Sequence, residues 1–152
     1  MEDLNAKIDA LKRCMLFRNL SFAQLELVAS AVEPARFESG EAVVSENSFG
    51  NTLYIVVEGA VSVLKALKDK EVLLTTLGPG DYFGEVSLLD NNPRSATVRC
   101  DGACLLLTMK KGAFDALIET DPRLGVRLLY ALNRAFCQRL RTADQKIVDL
   151  CT

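Results

Sequence analysis

The stretch GDYFGEVSLLDNNPRSATV, Gly80 to Val98, decides how this chain is read. It opens on turn formers and places one carboxylate, Glu85, at the head of a short apolar run. After a second turn it sets one guanidinium, Arg94, among small residues. Gly84 permits a sharp turn or a close approach of backbone to a ligand. EVSLL is long enough for one helical turn, whose free N–H groups and positive dipole end suit a phosphate. Arg94 adds a planar, bidentate counter-charge from the next strand. Ser95 adds a hydroxyl and Ala96 leaves room. Glu85 is unsuited to a phosphate at close range but suits a sugar hydroxyl. A ligand with a phosphate and a free hydroxyl on one ring meets both demands. On the two charges alone, an ordinary Glu85–Arg94 salt bridge is the simpler reading.

Outward from this stretch the chain divides into three zones. Glu2 to Val32 reads as helix: Leu4, Ile8, Leu11 and Met15 recur at spacings of four and three. A second helix starts at Ser21, where SFAQ is a capping box, and Pro34 stops it. From Ala35 to Lys110, runs rich in Val, Leu, Thr and Tyr alternate with Gly, Asn, Asp and Pro clusters. They predict strands near 35–38, 41–44, 52–58, 60–66, 70–77, 94–99 and 104–110, with a short one near 81–83. That spacing points to an antiparallel sandwich or roll of about eight strands. The expected class is α+β, with residues 1–34 as N-terminal helices, 35–111 as the roll and 112–152 as C-terminal helices, forming one domain.

The last zone returns to helix. Asp121 is placed to cap and Pro122 suits the first helical position. Leu129, Leu132, Phe136, Leu140, Ala143, Ile147 and Leu150 then step along one stripe close to a heptad seam. The stripe either packs on its own roll or pairs, in its distal half, with another chain.

Bulk composition narrows the functions. The 152 residues carry a net charge of -2, which gives no support for wholesale nucleic-acid binding. No apolar run approaches the roughly 20 residues of a membrane helix. The charged start is no secretory signal, so the cytoplasm is the expected compartment. Five cysteines at scattered spacings read as reduced thiols, most of them packed as small hydrophobes. Period-2 alternation puts Cys100 and Cys104 on the same face of a strand or bend. The chain has no His, which removes His-ligated metal sites and Ser-His or Cys-His catalysis. No metal site, no catalytic residue and no enzymatic activity are expected, and a His-dependent β-roll enzyme of the cupin kind is disfavoured.

Phe83, Gly84, Glu85, Leu88, Arg94, Ser95, Ala96, Thr97 and Val98 together resemble the phosphate-binding cassette of cyclic nucleotide-binding domains. NTLYIVVEGAVSVL is similar to the family's central hairpin, with Gly59 at its turn, and the helix–roll–helix order fits from about Leu16 to about Leu150. The resemblance implies that Glu85 takes the ribose 2′-hydroxyl and that Arg94 pairs with the cyclic phosphate. Gly84, the amides around Val86 and Ala96, and the Ser95 hydroxyl complete that site. It puts Val63 and Leu74 at the base as apolar walls. By a looser alignment it makes Arg139, Thr142 and Asp144 candidates for the lid on the C-terminal helix. A Ser after the cassette Arg is associated with cGMP in eukaryotic kinases but also occurs in bacterial cAMP receptors. The long C-terminal helix resembles the bacterial catabolite-activator arrangement and favours cAMP, whereas Asp144 at the base edge would suit guanine. The implied protein is a cyclic nucleotide sensor whose ligand repositions the C-terminal helix, with a homodimer through that helix and an effector protein as partners. Bacterial transcription factors of the family continue into a helix-turn-helix domain. This chain stops at Thr152, so it is not expected to bind DNA on its own. The competing reading is a ligand-free interaction or dimerisation module.

Overall fold

A computed structural model of the chain describes residues 3–152. The helical zone's first residue in the sequence reading, Glu2, lies outside them. Two helices come first, α1 (Leu4–Arg13) and α2 (Phe22–Ala31). Eight strands follow: β1 (Glu33–Phe37), β2 (Ala42–Val44), β3 (Thr52–Glu58), β4 (Val61–Leu67), β5 (Lys70–Leu77), β6 (Tyr82–Phe83), β7 (Thr97–Cys100) and β8 (Cys104–Lys110). A single 3₁₀ turn, Glu85–Leu88, lies between β6 and β7, and α3 (Lys111–Thr120) and α4 (Pro122–Cys151) close the chain. All the pairing is antiparallel, in two four-stranded sheets ordered β1-β8-β3-β6 and β2-β7-β4-β5. This is the α+β β-roll that the alternation predicts.

Local chemistry sets the helix ends. The Gln24 amide donates to Ser21 Oγ, and the Ser21 amide donates to Gln24 Oε1. That reciprocal pair satisfies donors the helix itself leaves free. The Leu124 amide donates to Asp121 Oδ1 at the start of α4, and Pro122 occupies the first turn. The first helix is shorter than its periodicity predicts. It ends at Arg13 with Cys14 in extended conformation, and Met15 is exposed in the following turn. The turn carries Leu16 and Phe17 into the core, burial that a continued helix would divide between faces. Pro34 falls inside β1, which starts earlier than expected, at Glu33. Pro suits such an edge strand because it has no ladder N–H to lose.

The sheet containing β3 and β8 is covered on both faces, which explains its near-continuous apolar sequence. Leu53, Ile55, Leu107 and Met109 pack with the helices, against Leu11, Phe17, Val28, Phe114, Leu124 and Leu128. Val56 and Leu106 face the other way and join Val44, Val61, Phe83 and Val98 between the sheets. Cys100 and Cys104 both enter this second cluster, on β7 and β8. β7 begins at Thr97, so Arg94, Ser95 and Ala96 belong to the connection before it and not to a strand as expected. Along α4, Leu124, Leu128 and Leu132 are buried on the chain's own core. Leu140, Ile147, Val148 and Leu150 are exposed beyond it. Among the described residues, no helix is long and apolar enough to cross a membrane.

Candidate cyclic nucleotide site

Phe83 fixes the entrance to the Gly80–Val98 stretch. Its ring stacks on Tyr54 of β3 with centroids 4.9 Å apart, and β6 pairs with β3 at that point. Gly84 then adopts φ +83°. A Cβ there would lie 2.5 Å from the Thr52 carbonyl oxygen and 2.9 Å from Arg94 Nη1, so only Gly fits. The 3₁₀ turn follows, pinned by Leu88, which is buried in the helical core. Glu85 and Val86 of this turn line a cavity. The amides of Glu85 and Val86 have no hydrogen-bond partner among the described residues, as expected for the first donors of a helical turn.

A second, distant segment holds Arg94. The Arg94 amide donates to the Ser48 carbonyl at 2.7 Å, and the Asn47 amide donates to the Arg94 carbonyl at 2.8 Å. The connection between β2 and β3 therefore grips the Arg94 backbone. The guanidinium lies against Gly50, where an added Cβ would come within 2.4 Å of Nη2. Side-chain chemistry at 94 thus depends on a glycine far away in sequence.

Glu85, Ser87 and Arg94 are the buried polar or charged residues of the described chain, at 3%, 6% and 9% exposure. Glu85 is ion-paired, but with Arg139 of α4 and not with Arg94. Arg94 has no ion-pair partner among the described residues. Burial pushes the guanidinium below its usual pKa, while Tyr54 and Glu85 oppose that shift. A buried cation without a counter-ion is costly unless something supplies the charge, and the surrounding cavity leaves space for an anion. Burial, and then the Glu85 carboxylate, push the Tyr82 phenol in the same cavity up to about 12, so it remains neutral at physiological pH.

The cavity is about 470 Å³, within the usual range for a small-molecule site. Gly84, Glu85, Val86, Arg94, Ser95 and Ala96 all line it, together with Val63, Leu74 and Arg139. Thr142 and Asp144 do not: they are exposed on α4 one turn and more beyond Arg139. The cause is position along the axis: α4 is exposed all round from Cys137 onward, so beyond Arg139 the helix has run past the roll. Sequence reasoning missed Thr75, Leu77 and Tyr82 as lining residues, although they sit in the same turn-and-strand pattern. It also missed Gly50; the turn signal SFGN marks the loop but not its contact with Arg94. Among the described residues, no group of three or more His, Cys, Asp or Glu is arranged to hold a metal ion.

One cavity is thus lined by polar donors, a guanidinium, a carboxylate and apolar side chains. The chain belongs to the cyclic nucleotide-binding domain family, whose model matches residues 34–121, more than half its length. It is 38% identical over 116 residues to a cAMP-dependent protein kinase regulatory subunit of Mycosarcoma maydis, covering 73% of this chain and 22% of that one. It is similar to the regulatory domain of Toxoplasma gondii PKA co-crystallised with cAMP, with a TM-score of 0.71 and 32% identity over 77% of this chain and 46% of that one. The Thermus thermophilus catabolite activator protein superimposes with a TM-score of 0.81 at 30% identity, covering 90% of this chain and 62% of that one. The chain thus spans less than two thirds of the length of each of these relatives.

Proposed function

We infer that this chain is a cyclic nucleotide sensor that takes cAMP in preference to cGMP and signals through α4. One observation carries this reading: Arg94, buried and without an ion-pair partner, shares a cavity with the buried Glu85. The cyclic phosphate supplies the charge that Arg94 lacks, with the Val86 and Ala96 amides and the Ser95 hydroxyl as further donors. The ribose 2′-hydroxyl donates to Glu85. Val63, Leu74 and Leu77 supply apolar contact for the base. The preference for cAMP is supported by relatives whose names carry it, the kinase regulatory subunit and the Toxoplasma domain.

The Glu85–Arg139 pair supports a link to α4. A ribose hydroxyl bonded to Glu85 competes with Arg139, so occupied and empty sites favour different positions of the helix. That differential affinity is what a ligand needs to shift a conformational equilibrium. The exposed apolar residues in the distal half of α4 are the surface through which a homodimer or an effector protein senses the shift. The chain acts as a receptor and not as a catalyst, and a cytoplasmic setting suits its five free thiols.

A thermal-shift panel with cAMP, cGMP, cyclic CMP and cyclic dinucleotides, repeated on Glu85→Ala, tests the reading. A ligand stabilises only the state it binds. The expected order is cAMP above cGMP, with the shift diminished in the variant. No shift with any nucleotide leaves the interaction-module reading in its place.

A further inference from the structure

We propose that Lys65 is a positioning residue for the site: it holds the Ser95–Ala96 peptide so that the Ala96 N–H faces the ligand's phosphate. The inference rests on the proposed binding of a cyclic phosphate between Glu85 and Arg94. Lys65 lies on β4, and its Nζ donates to the Ser95 carbonyl at 2.8 Å and to Glu46 Oε1 at 2.7 Å. Glu46 is itself held. Its second carboxylate oxygen accepts from the Ala66 amide at 3.0 Å, and its own amide donates to Thr97 Oγ1 at 2.9 Å. The Lys65 ammonium, and then the Ala66 N–H, keep the Glu46 carboxyl below its usual range, so it stays charged at neutral pH. One ammonium thus ties β4, the loop before β3 and the end of the cassette together.

The consequence follows from peptide geometry. A trans peptide is planar, with its C=O and N–H on opposite sides, and no peptide in the described chain is cis. Drawing the Ser95 C=O out to Lys65 turns the Ala96 N–H the other way. Ser95 and Ala96 both line the cavity, whereas Lys65 does not. The Ala96 N–H has no partner among the described residues. It is a preset donor awaiting an acceptor, and preset donors bind without reorganisation cost. A cation on the carbonyl also polarises the peptide, which strengthens its N–H as a donor. Lys65 therefore acts on the ligand through one peptide, without touching it.

The test compares wild type, Lys65→Met, which keeps the aliphatic stem, and Lys65→Arg. Calorimetry is run with cAMP and with the two phosphorothioate diastereomers of cAMP, each of which has sulfur in place of one exocyclic oxygen. Lys65→Met is expected to weaken cAMP binding by about tenfold, the size of one lost charge-assisted hydrogen bond. Lys65→Arg restores it to within about twofold. In Lys65→Met the affinity gap between the diastereomers narrows, because the oxygen facing Ala96 has lost its donor. In the ligand-free protein the ¹⁵N–¹H resonance of Ala96 moves in Lys65→Met. A wild-type chain that binds no cyclic nucleotide overturns the proposed function and this role with it. A wild-type chain that binds while Lys65→Met binds equally well overturns this role alone, as does an equal loss on both diastereomers or an unmoved Ala96 resonance.

Discussion

Glu85 pairs with Arg139, not with Arg94. The carboxylate is 3% exposed and its partner is 55% exposed at the side chain, so the pair joins a buried charge to a solvent-exposed one on α4. An anion buried in the roll is thus tied to α4, and under the proposed function a ligand hydroxyl at Glu85 competes with that tie.

Arg139→Gln removes the charged competitor while keeping a polar, shorter side chain. Cyclic nucleotide affinity is expected to rise by about threefold to tenfold, or roughly 0.6–1.4 kcal/mol, in keeping with a partly exposed pair. Titration calorimetry measures it. Affinity that falls instead makes Arg139 a ligand contact and removes the competition.

Arg94→Met separates binding from stability. In the empty site Arg94 is a desolvated cation with no ion pair, and such groups destabilise the fold that holds them. The variant is expected to raise the ligand-free melting temperature by about 2–8 °C, for a gain of roughly 1–2 kcal/mol in a chain of this size. Its cyclic nucleotide affinity falls at least about 100-fold, since two charge-assisted bonds are lost. Scanning calorimetry and binding run on the same samples show whether the two effects separate.

Gly50→Ala acts on Arg94 from outside the cassette. The new Cβ meets the end of a flexible side chain, so the fold yields cheaply and the guanidinium moves. Binding weakens by about tenfold, the usual order for one displaced polar contact, with little change in ligand-free melting temperature. Gly102→Ala, which meets nothing within 4 Å, is the control and leaves both unchanged.

Cys14 makes stability fall in alkali. Burial pushes its thiol from 9 up to about 12, so the folded state favours the neutral form. The full contribution is present below pH 9. As pH rises from 9 toward 12 the unfolded chain loses its proton first, and stability falls by about 1.4 kcal/mol per pH unit from this group. Urea unfolding at several pH values shows a flatter decline in Cys14→Ala than in wild type.

Much of this molecule is legible locally. The Ser21 capping box, the Asp121 cap and the alternation through β3 and β8 depend on neighbours in sequence, and each is found where its signal lies. What escaped depends on distant contacts. Met15 keeps the helical period, yet α1 stops because Leu16 and Phe17 are wanted in the core. Residues 94–96 run straight into the strand signal of Thr97 and Val98, yet the loop carrying Asn47 and Ser48 takes the Arg94 backbone bonds that a ladder would use. The cassette charges are apparent from residue type and spacing. That Glu85 turns to Arg139 and that Lys65 reaches Ser95 needs the roll already folded. Thr142 and Asp144 lie where α4 has already run past the roll, and where a helix leaves its domain depends on the packed fold and not on local sequence.

Calorimetric titration of the wild-type chain with cAMP shows whether Arg94 and Glu85 address one ligand. Saturable one-to-one binding is expected, with a Kd of about 10 μM or tighter, near -7 kcal/mol, weaker binding of cGMP, and loss of affinity in Arg94→Met and in Glu85→Ala. Absence of cAMP and cGMP binding up to about millimolar concentration, near -4 kcal/mol, would contradict that reading.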